Sequence, residues 1–224
     1  MAVEYIGLET LHLEALPART RRAFLYCIKS KIFSEGKWYL AGGTALALHV
    51  GHRKSVDLDF FTPHRTFDND VLERELLATR SWKSTLKRKG TLYGELLNAK
   101  MSFIAYPFFH PSQQVLRCGT IRILSSEDIA AMKIVAISQR GRKRDFLDLY
   151  WYCTHREPLR TVIERAVSQY PGQENNLSHI FKSLVYFADA ESDTMPEFFF
   201  RATWNQVKQY FAREVPRVTR EFLT

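Results

Sequence analysis

Asp57 and Asp59 stand two residues apart in the run Ser55-Val56-Asp57-Leu58-Asp59-Phe60-Phe61, where polar and apolar side chains alternate. On a strand, side chains two apart leave on the same face, so the two carboxylates project together while Val56, Leu58 and Phe60 point the other way. Neighbouring acids raise each other's cost of ionisation, and a divalent cation removes it. Hard oxygen donors of this kind suit Mg2+ or Mn2+. Just upstream, Trp38-Tyr39-Leu40-Ala41 reads as a short strand, Gly42-Gly43 interrupts it, and Thr44 stands before the helix-forming Ala45-Leu46-Ala47-Leu48. Glycines let a phosphate approach the backbone closely, and a helix N-terminus offers unpaired N–H groups and a positive dipole end. A phosphate cradle beside a metal-binding acid pair is the minimum equipment of phosphoryl or nucleotidyl transfer. Taken singly, the glycines read equally as a tight turn, and the acids as a solvated pair balanced by Arg53 and Lys54. Large apolar residues on both sides of the acids favour the chemical reading, because an unmatched charge there is costly.

The elements that must position these groups can be read along the chain. Residues 16 to 35 form an amphipathic pattern with Phe24, Leu25, Ile28 and Ile32 on one stripe, Pro17 in the first turn and Gly36 at the end. Gly51 is a C-cap for the helix after the glycine pair, followed by the basic turn His52-Arg53-Lys54. That cap separates His49 from His52 and argues against a zinc pair there. Phe67 to Arg80 reads as a helix with Val71, Leu72, Leu76 and Leu77 at helical spacing and Asp68 or Asn69 as its cap. Three strand-like runs follow, Trp82 to Lys89, Thr91 to Leu97 and Lys100 to Tyr106, joined by short turns as an antiparallel meander. Lys83, Lys87 and Arg88 on the first run suit either the protection of an edge strand or a nucleic-acid groove. Pro107 to Arg117 reads as a loop and Gly119 to Leu124 as a strand, and Ser125-Ser126-Glu127-Asp128 opens a helix. Lys133 is the only charge between Ile129 and Ile137. It is either a lysine at the margin of the core or a point charge for phosphate oxygens. Asp145 falls near the start of the next helix, with Asp148 one turn further on. From Pro158 onward the pattern is helical, in three segments ending with Glu197 to Val215.

GGTALALHVGHRKSVDLDFF resembles the first motif of the AbiEii/AbiGii-type toxin family, a branch of the DNA polymerase β-like nucleotidyltransferase superfamily. A second stretch, Lys133 and then Gln139-Arg140-Gly141-Arg142-Lys143-Arg144-Asp145-Phe146-Leu147-Asp148-Leu149-Tyr150, resembles that family's later motif. Together the two cover roughly residues 37 to 153. The resemblance implies that Gly42, Gly43, Thr44 and Ser55 hold the nucleotide phosphates, that Asp57 and Asp59 ligate catalytic Mg2+ (or Mn2+), and that Lys133 contacts the nucleotide. It implies Asp145 as the further catalytic acid, with Asp148 as the alternative and Arg53 and Arg140 as secondary candidates. Polymerase β-like enzymes usually take a third carboxylate from a strand beside the acid pair. Here Lys100 to Ile104 is that strand and Ser102 occupies the acid position, a departure, since a serine hydroxyl is no base at neutral pH. Glu95 on the neighbouring strand is a possible substitute.

Composition agrees with this reading. A chain of 224 residues with 46% hydrophobic content can build a substantial core, and its net charge of +8 favours an anionic partner such as nucleic acid, RNA and DNA alike, or an acidic protein. Cys27, Cys118 and Cys153 are odd in number and share no ligand spacing, which points to reduced, buried thiols. No apolar run is long enough to span a membrane and no signal-peptide layout opens the chain, so a cytoplasmic location is expected. The fold class expected is α/β (α+β), a nucleotidyltransferase-like mixed sheet over residues 1–155 with a helical region over 156–224. The resemblance implies an NTP-dependent nucleotidyltransferase acting on an acceptor hydroxyl, RNA or a tRNA 3′ end, within a toxin–antitoxin or phage-defence system that includes an antitoxin partner. Two alternatives stand beside it: a degenerate nucleotide- or RNA-binding protein of the same fold, favoured by Ser102, and an enzyme that nucleotidylates protein.

Overall fold

The structure, a computed structural model, describes residues 3–34, 37–111, 115–172 and 176–223. Gly36, expected to end the first helix, lies outside them. The chain folds as two compact units, Met1–Ser126 and Glu127–Thr224. This division falls earlier than the boundary between 155 and 156 expected from the sequence, because the two helices after residue 126 group with the C-terminal helices.

The first unit is built on one eight-stranded mixed sheet. In chain order its elements are β1 (Val3–Tyr5), α1 (Ala18–Cys27), β2 (Tyr39–Ala41), α2 (Gly42–Val50), β3 (Leu58–Thr62), α3 (Asn69–Leu77), β4 (Trp82–Arg88), β5 (Thr91–Leu96), β6 (Ala99–Ala105), β7 (Val115–Cys118) and β8 (Ile121–Ile123). The strands lie in the order β1-β7-β8-β2-β3-β6-β5-β4, so β4 is an edge. The meander β4-β5-β6 is antiparallel as expected, whereas β6 pairs β3 in parallel and β8 pairs β2 in parallel.

One face of this sheet is an aromatic core. Phe60 and Phe103 stack at 5.6 Å, Phe33 lies 4.5 Å from Phe60, and Trp38 and Trp82 meet Phe103 edge-on. Each fully buried ring of this kind contributes about 1.5–3 kcal/mol, so this face fixes strand register. Helix α3 covers part of it, started by Asp68, whose Oδ1 accepts from the backbone N–H of Asp70 and of Val71.

Several boundaries differ from those read in the sequence. The first helix stops at Cys27 rather than running to 35, and a short 3-10 turn at Lys31–Phe33 follows. The hairpin turn Gly119-Thr120 closes its end: Thr120 N–H donates to Ile28 O and Thr120 Oγ1 to Cys27 O. Val71 and Leu77 are exposed, leaving Leu72 and Leu76 as the buried stripe of α3. The segment read as a loop to Arg117 contains β7.

The second unit is helical: α4 (Ser126–Arg140), α5 (Lys143–His155), α6 (Leu159–Gln169), α7 (Leu177–Leu184), α8 (Ala188–Glu191) and α9 (Trp204–Leu223). Phe146 on α5 is its hub, with Phe187 at 5.3 Å, Trp204 at 5.8 Å and Phe211 at 5.4 Å. These aromatics pack a bundle, as expected. The last helix begins at Trp204, not Glu197, leaving Phe198 before it, paired with Phe200. Its arginines lie on a wet face, Arg213 and Arg217 both pairing Glu214. Among the described residues no helix is long and apolar enough to cross a membrane.

Candidate active site

Strand β3 starts at Leu58, so Asp59 is on the strand while Asp57 lies one residue before it. This corrects the expected continuous alternation from Val56: Leu58, Phe60 and Thr62 are buried, but Val56 is 40% exposed and precedes the strand. Asp59 sits beside Ser102 across the parallel β3–β6 pair, and the Ser102 hydroxyl donates to Asp59 Oδ1 at 2.6 Å. The departure read in the sequence is therefore placed at the expected position, with a hydroxyl holding the carboxylate instead of a third acid.

The other oxygen of Asp59 faces the start of α2. Gly42 has φ +71°, and a Cβ built on it would stand 3.2 Å from Asp59 Oδ2. Both facts disfavour a side chain: the left-handed backbone strains any residue but glycine, and a Cβ would press on the carboxylate. Helix α2 begins at Gly42 with Ala41 as an uncapped N-terminus, and ends at Gly51 in the left-handed conformation expected of it.

Thr44 does not cap this helix. It lies in the first turn, buried, with its hydroxyl 2.8 Å from Ser55 Oγ and also meeting the backbone carbonyl of Asp57. Because a carbonyl only accepts, Thr44 donates there and receives the proton of Ser55. Ser55 N–H in turn donates to Ala15 O at 3.0 Å. Thr44 and Ser55, expected to touch phosphate, thus clamp the 55–57 segment onto α2 and set the position of Asp57. Arg53 is buried, its Nη1 donating to the Lys54 carbonyl at 2.9 Å. Glu95 shares the face of Asp59 and Ser102, opposite Lys100 on β6 and Lys83 on β4.

The second unit holds the other expected group. Lys133 Nζ donates to Asp145 Oδ1 at 2.6 Å and lies 2.6 Å from Asp148 Oδ2, with all three side chains at or below 5% exposure. Arg140 Nε donates to the remaining Asp145 oxygen at 3.1 Å. Burial pushes the Asp145 carboxyl up, but the Lys133 ammonium and then the Arg140 guanidinium outweigh it and hold it below the usual carboxylate value. The structure therefore joins the two acids between which sequence reasoning was divided, as two ligands of one lysine. Spacing along α4 and α5 could have suggested this, since Asp145 and Asp148 lie one turn apart.

A family model for the nucleotidyl transferase AbiEii toxin of type IV toxin–antitoxin systems matches residues 23–98 and 103–223. The chain belongs to the AbiEii family. An uncharacterised protein of Aquifex aeolicus is 37% identical to it over 182 residues, covering 80% of this chain and 86% of that protein. Two solved Helicobacter pylori structures share the fold. One, described provisionally as a nucleotidyltransferase, has a TM-score of 0.50 at 14% identity and covers 92% of this chain and 96% of its own. The other, JHP933, has a TM-score of 0.50 at 15% identity and covers 92% and 94%. The AbiEii chain is thus a nucleotidyltransferase toxin built on the nucleotidyltransferase fold.

Proposed function

We propose that this AbiEii chain transfers a nucleotide from an NTP to an acceptor hydroxyl on RNA, the 3′ end of a tRNA being the preferred candidate, with Mg2+ or Mn2+ held by Asp57 and Asp59. The observation that carries the reading is the closeness of Asp59 Oδ2 to Gly42 at the opening of α2, which puts an acid against a side-chain-free helix N-terminus. Carboxylate oxygens and backbone N–H groups are the donor sets for a hard cation and for phosphates respectively. Among the described residues no three His, Cys, Asp or Glu side chains form a metal cage. Mg2+ commonly takes only one or two carboxylates and completes its shell from substrate phosphates and water, so the reading needs no third acid. When bound, the cation would draw charge from the α-phosphate.

This chain's own residues supply the rest. Gly42 and Gly43 carry no side chains and would offer backbone N–H groups to phosphates at the start of α2, Thr44 and Ser55 hold Asp57 in place, and Ser102 fixes Asp59. Lys133 enters the proposal as a phosphate contact with one condition. An ammonium has three N–H groups and two already serve Asp145 and Asp148, so only the third is available to an oxygen of the substrate. A carboxylate held below its ordinary value is a weak base, so Asp145 orients Lys133 rather than deprotonating the acceptor.

Incubation with labelled NTPs, Mg2+ and total RNA tests the reading. Label should appear on RNA and be lost in Asp57→Ala. Label on protein in RNase-treated lysate would favour protein nucleotidylation instead. Ser102 in place of an acid supports one second reading, nucleotide binding without turnover, and binding with no transfer under any metal would establish it. A cognate antitoxin and a cytoplasmic location belong to the same proposal, on the strength of the type IV toxin–antitoxin family description.

A further inference from the structure

The face of the sheet that carries Asp59 continues past that acid onto an open basic platform. Strand register fixes which side chains share it. Asp59 stands opposite Ser102, Ser102 opposite Tyr93, and Tyr93 opposite Leu86, forming one row across β3, β6, β5 and β4. The next row is Lys100, Glu95 and Lys83, and Arg88 lies on the same face opposite Thr91. The alternating residues Leu92, Leu96, Met101 and Phe103 are buried on the aromatic side, which confirms the assignment of faces. Lys87 falls on that other side, where it is bound by Asp70 and Glu73 of α3, so it takes no part.

Tyr93 is 37% exposed on this platform, and Lys83, Arg88 and Lys100 are exposed around it. It lies two strands from Asp59, about 10 Å across the sheet at the usual strand spacing. An exposed ring on a flat sheet among cations is what an unpaired base and its flanking phosphates require: the ring offers a stacking surface and the cations meet the backbone. Three cations against one carboxylate give the patch the sign that a polyanion needs. An acidic protein segment would meet the charge but has no use for the ring beside the acid.

We propose that the β6-β5-β4 face is the docking surface for the single-stranded end of an RNA acceptor, with the terminal unpaired bases stacked on Tyr93 and the phosphates on Lys83, Lys100 and Arg88. This rests on the reading of Asp59 as part of the transfer site, which a strand running along the platform would reach with its terminal hydroxyl.

The test is equilibrium binding of a fluorescein-labelled single-stranded RNA to the full chain by anisotropy, without NTP or metal, so that turnover plays no part. Tyr93→Ala should weaken binding roughly 5- to 150-fold, the range for loss of one base–aromatic stack, and Tyr93→Phe should stay close to wild type. Replacing Lys83 and Lys100 together by glutamine should flatten the dependence of log K on log salt by about 1.4, two single-strand phosphate contacts. A blunt RNA duplex should bind more weakly than the single strand. Circular dichroism melts of each variant separate lost binding from lost folding. Wild-type affinity in Tyr93→Ala, duplex binding equal to the single strand, or a fall in NTP affinity without a fall in RNA affinity would each overturn the proposal. So would failure of the wild-type chain to bind RNA, and if transfer to another acceptor then persisted, the nucleotidyltransferase reading would survive without this surface.

Discussion

Ser102 Oγ stands 2.6 Å from Asp59 Oδ1, donating its proton across a parallel strand pair. A neutral donor here does what a third acid would not: it satisfies one carboxylate oxygen and leaves the other beside Gly42.

Removing that donor should act on metal use before it acts on folding. Hydrogen bonds to charged groups are worth about 1.5–3 kcal/mol. In Ser102→Ala the Mg2+ concentration for half-maximal transfer should rise roughly tenfold, with Ser102→Thr close to wild type. Transfer rates across a Mg2+ titration provide the measurement. Ser102→Asp should be destabilised without metal, by repulsion from Asp59, and gain more melting temperature than wild type when Mn2+ is added.

Gly42→Ala tests the close approach at the opening of α2. A left-handed alanine costs about 1–2 kcal/mol, and its methyl would press on Asp59 Oδ2. Urea unfolding should show a loss of that size, and transfer activity should fall further than stability, because the acid itself is displaced.

Lys133→Met should reverse the sign of the pH dependence contributed by the buried acids. In the wild type Asp145 is held below its ordinary value, so its contribution to stability is present above the unfolded pKa and lost as pH falls through the folded one. Without the ammonium only the Arg140 guanidinium still opposes burial and the repulsion of Asp148, so the carboxyls move up, and those raised above their unfolded value favour the fold more as pH falls. The variant should lose about 3–5 kcal/mol near pH 7 and recover part of it at about pH 5, where the wild type is unchanged. Urea midpoints at the two pH values decide it, and a variant with the same pH profile as wild type would refute the role given to Lys133.

The three thiols should be inert in the native protein. Burial pushes the Cys27 thiol well above its ordinary value and the Cys153 thiol up to about 12, and Cys118 is raised as well. A thiol-reactive dye at about pH 8 should label none of them until denaturant is added, when all three react.

Much of this was legible in the sequence where local chemistry decides the backbone. Gly51, Asp68 and the β4-β5-β6 meander follow from capping and turn residues, whereas Ser102 is matched to its position beside the acid pair through the family resemblance. The misses come from tertiary choices. Val56 alternates correctly with Leu58, yet β3 begins only after Asp57, because Thr44 and Ser55 hold that segment on α2. Thr44 has the side chain of a cap, but Gly42 can adopt a left-handed φ and start the helix three residues sooner. Strand β7 is short and takes its order from β1 and β8 on either side, which no local pattern in residues 115 to 118 announces.

The parallel pairing of β2 with β8 has a consequence for synthesis on the ribosome. Leu40, two residues before the glycine pair, takes Ile123 as its neighbour on one side and Phe60 on the other. A nascent chain therefore cannot complete the flank of β2 until Ile121–Ile123 has left the exit tunnel. A chain assembled this way stays without its finished sheet until that strand emerges, and a premature stop before residue 121 should yield a fragment whose β2 lacks one of its two neighbours.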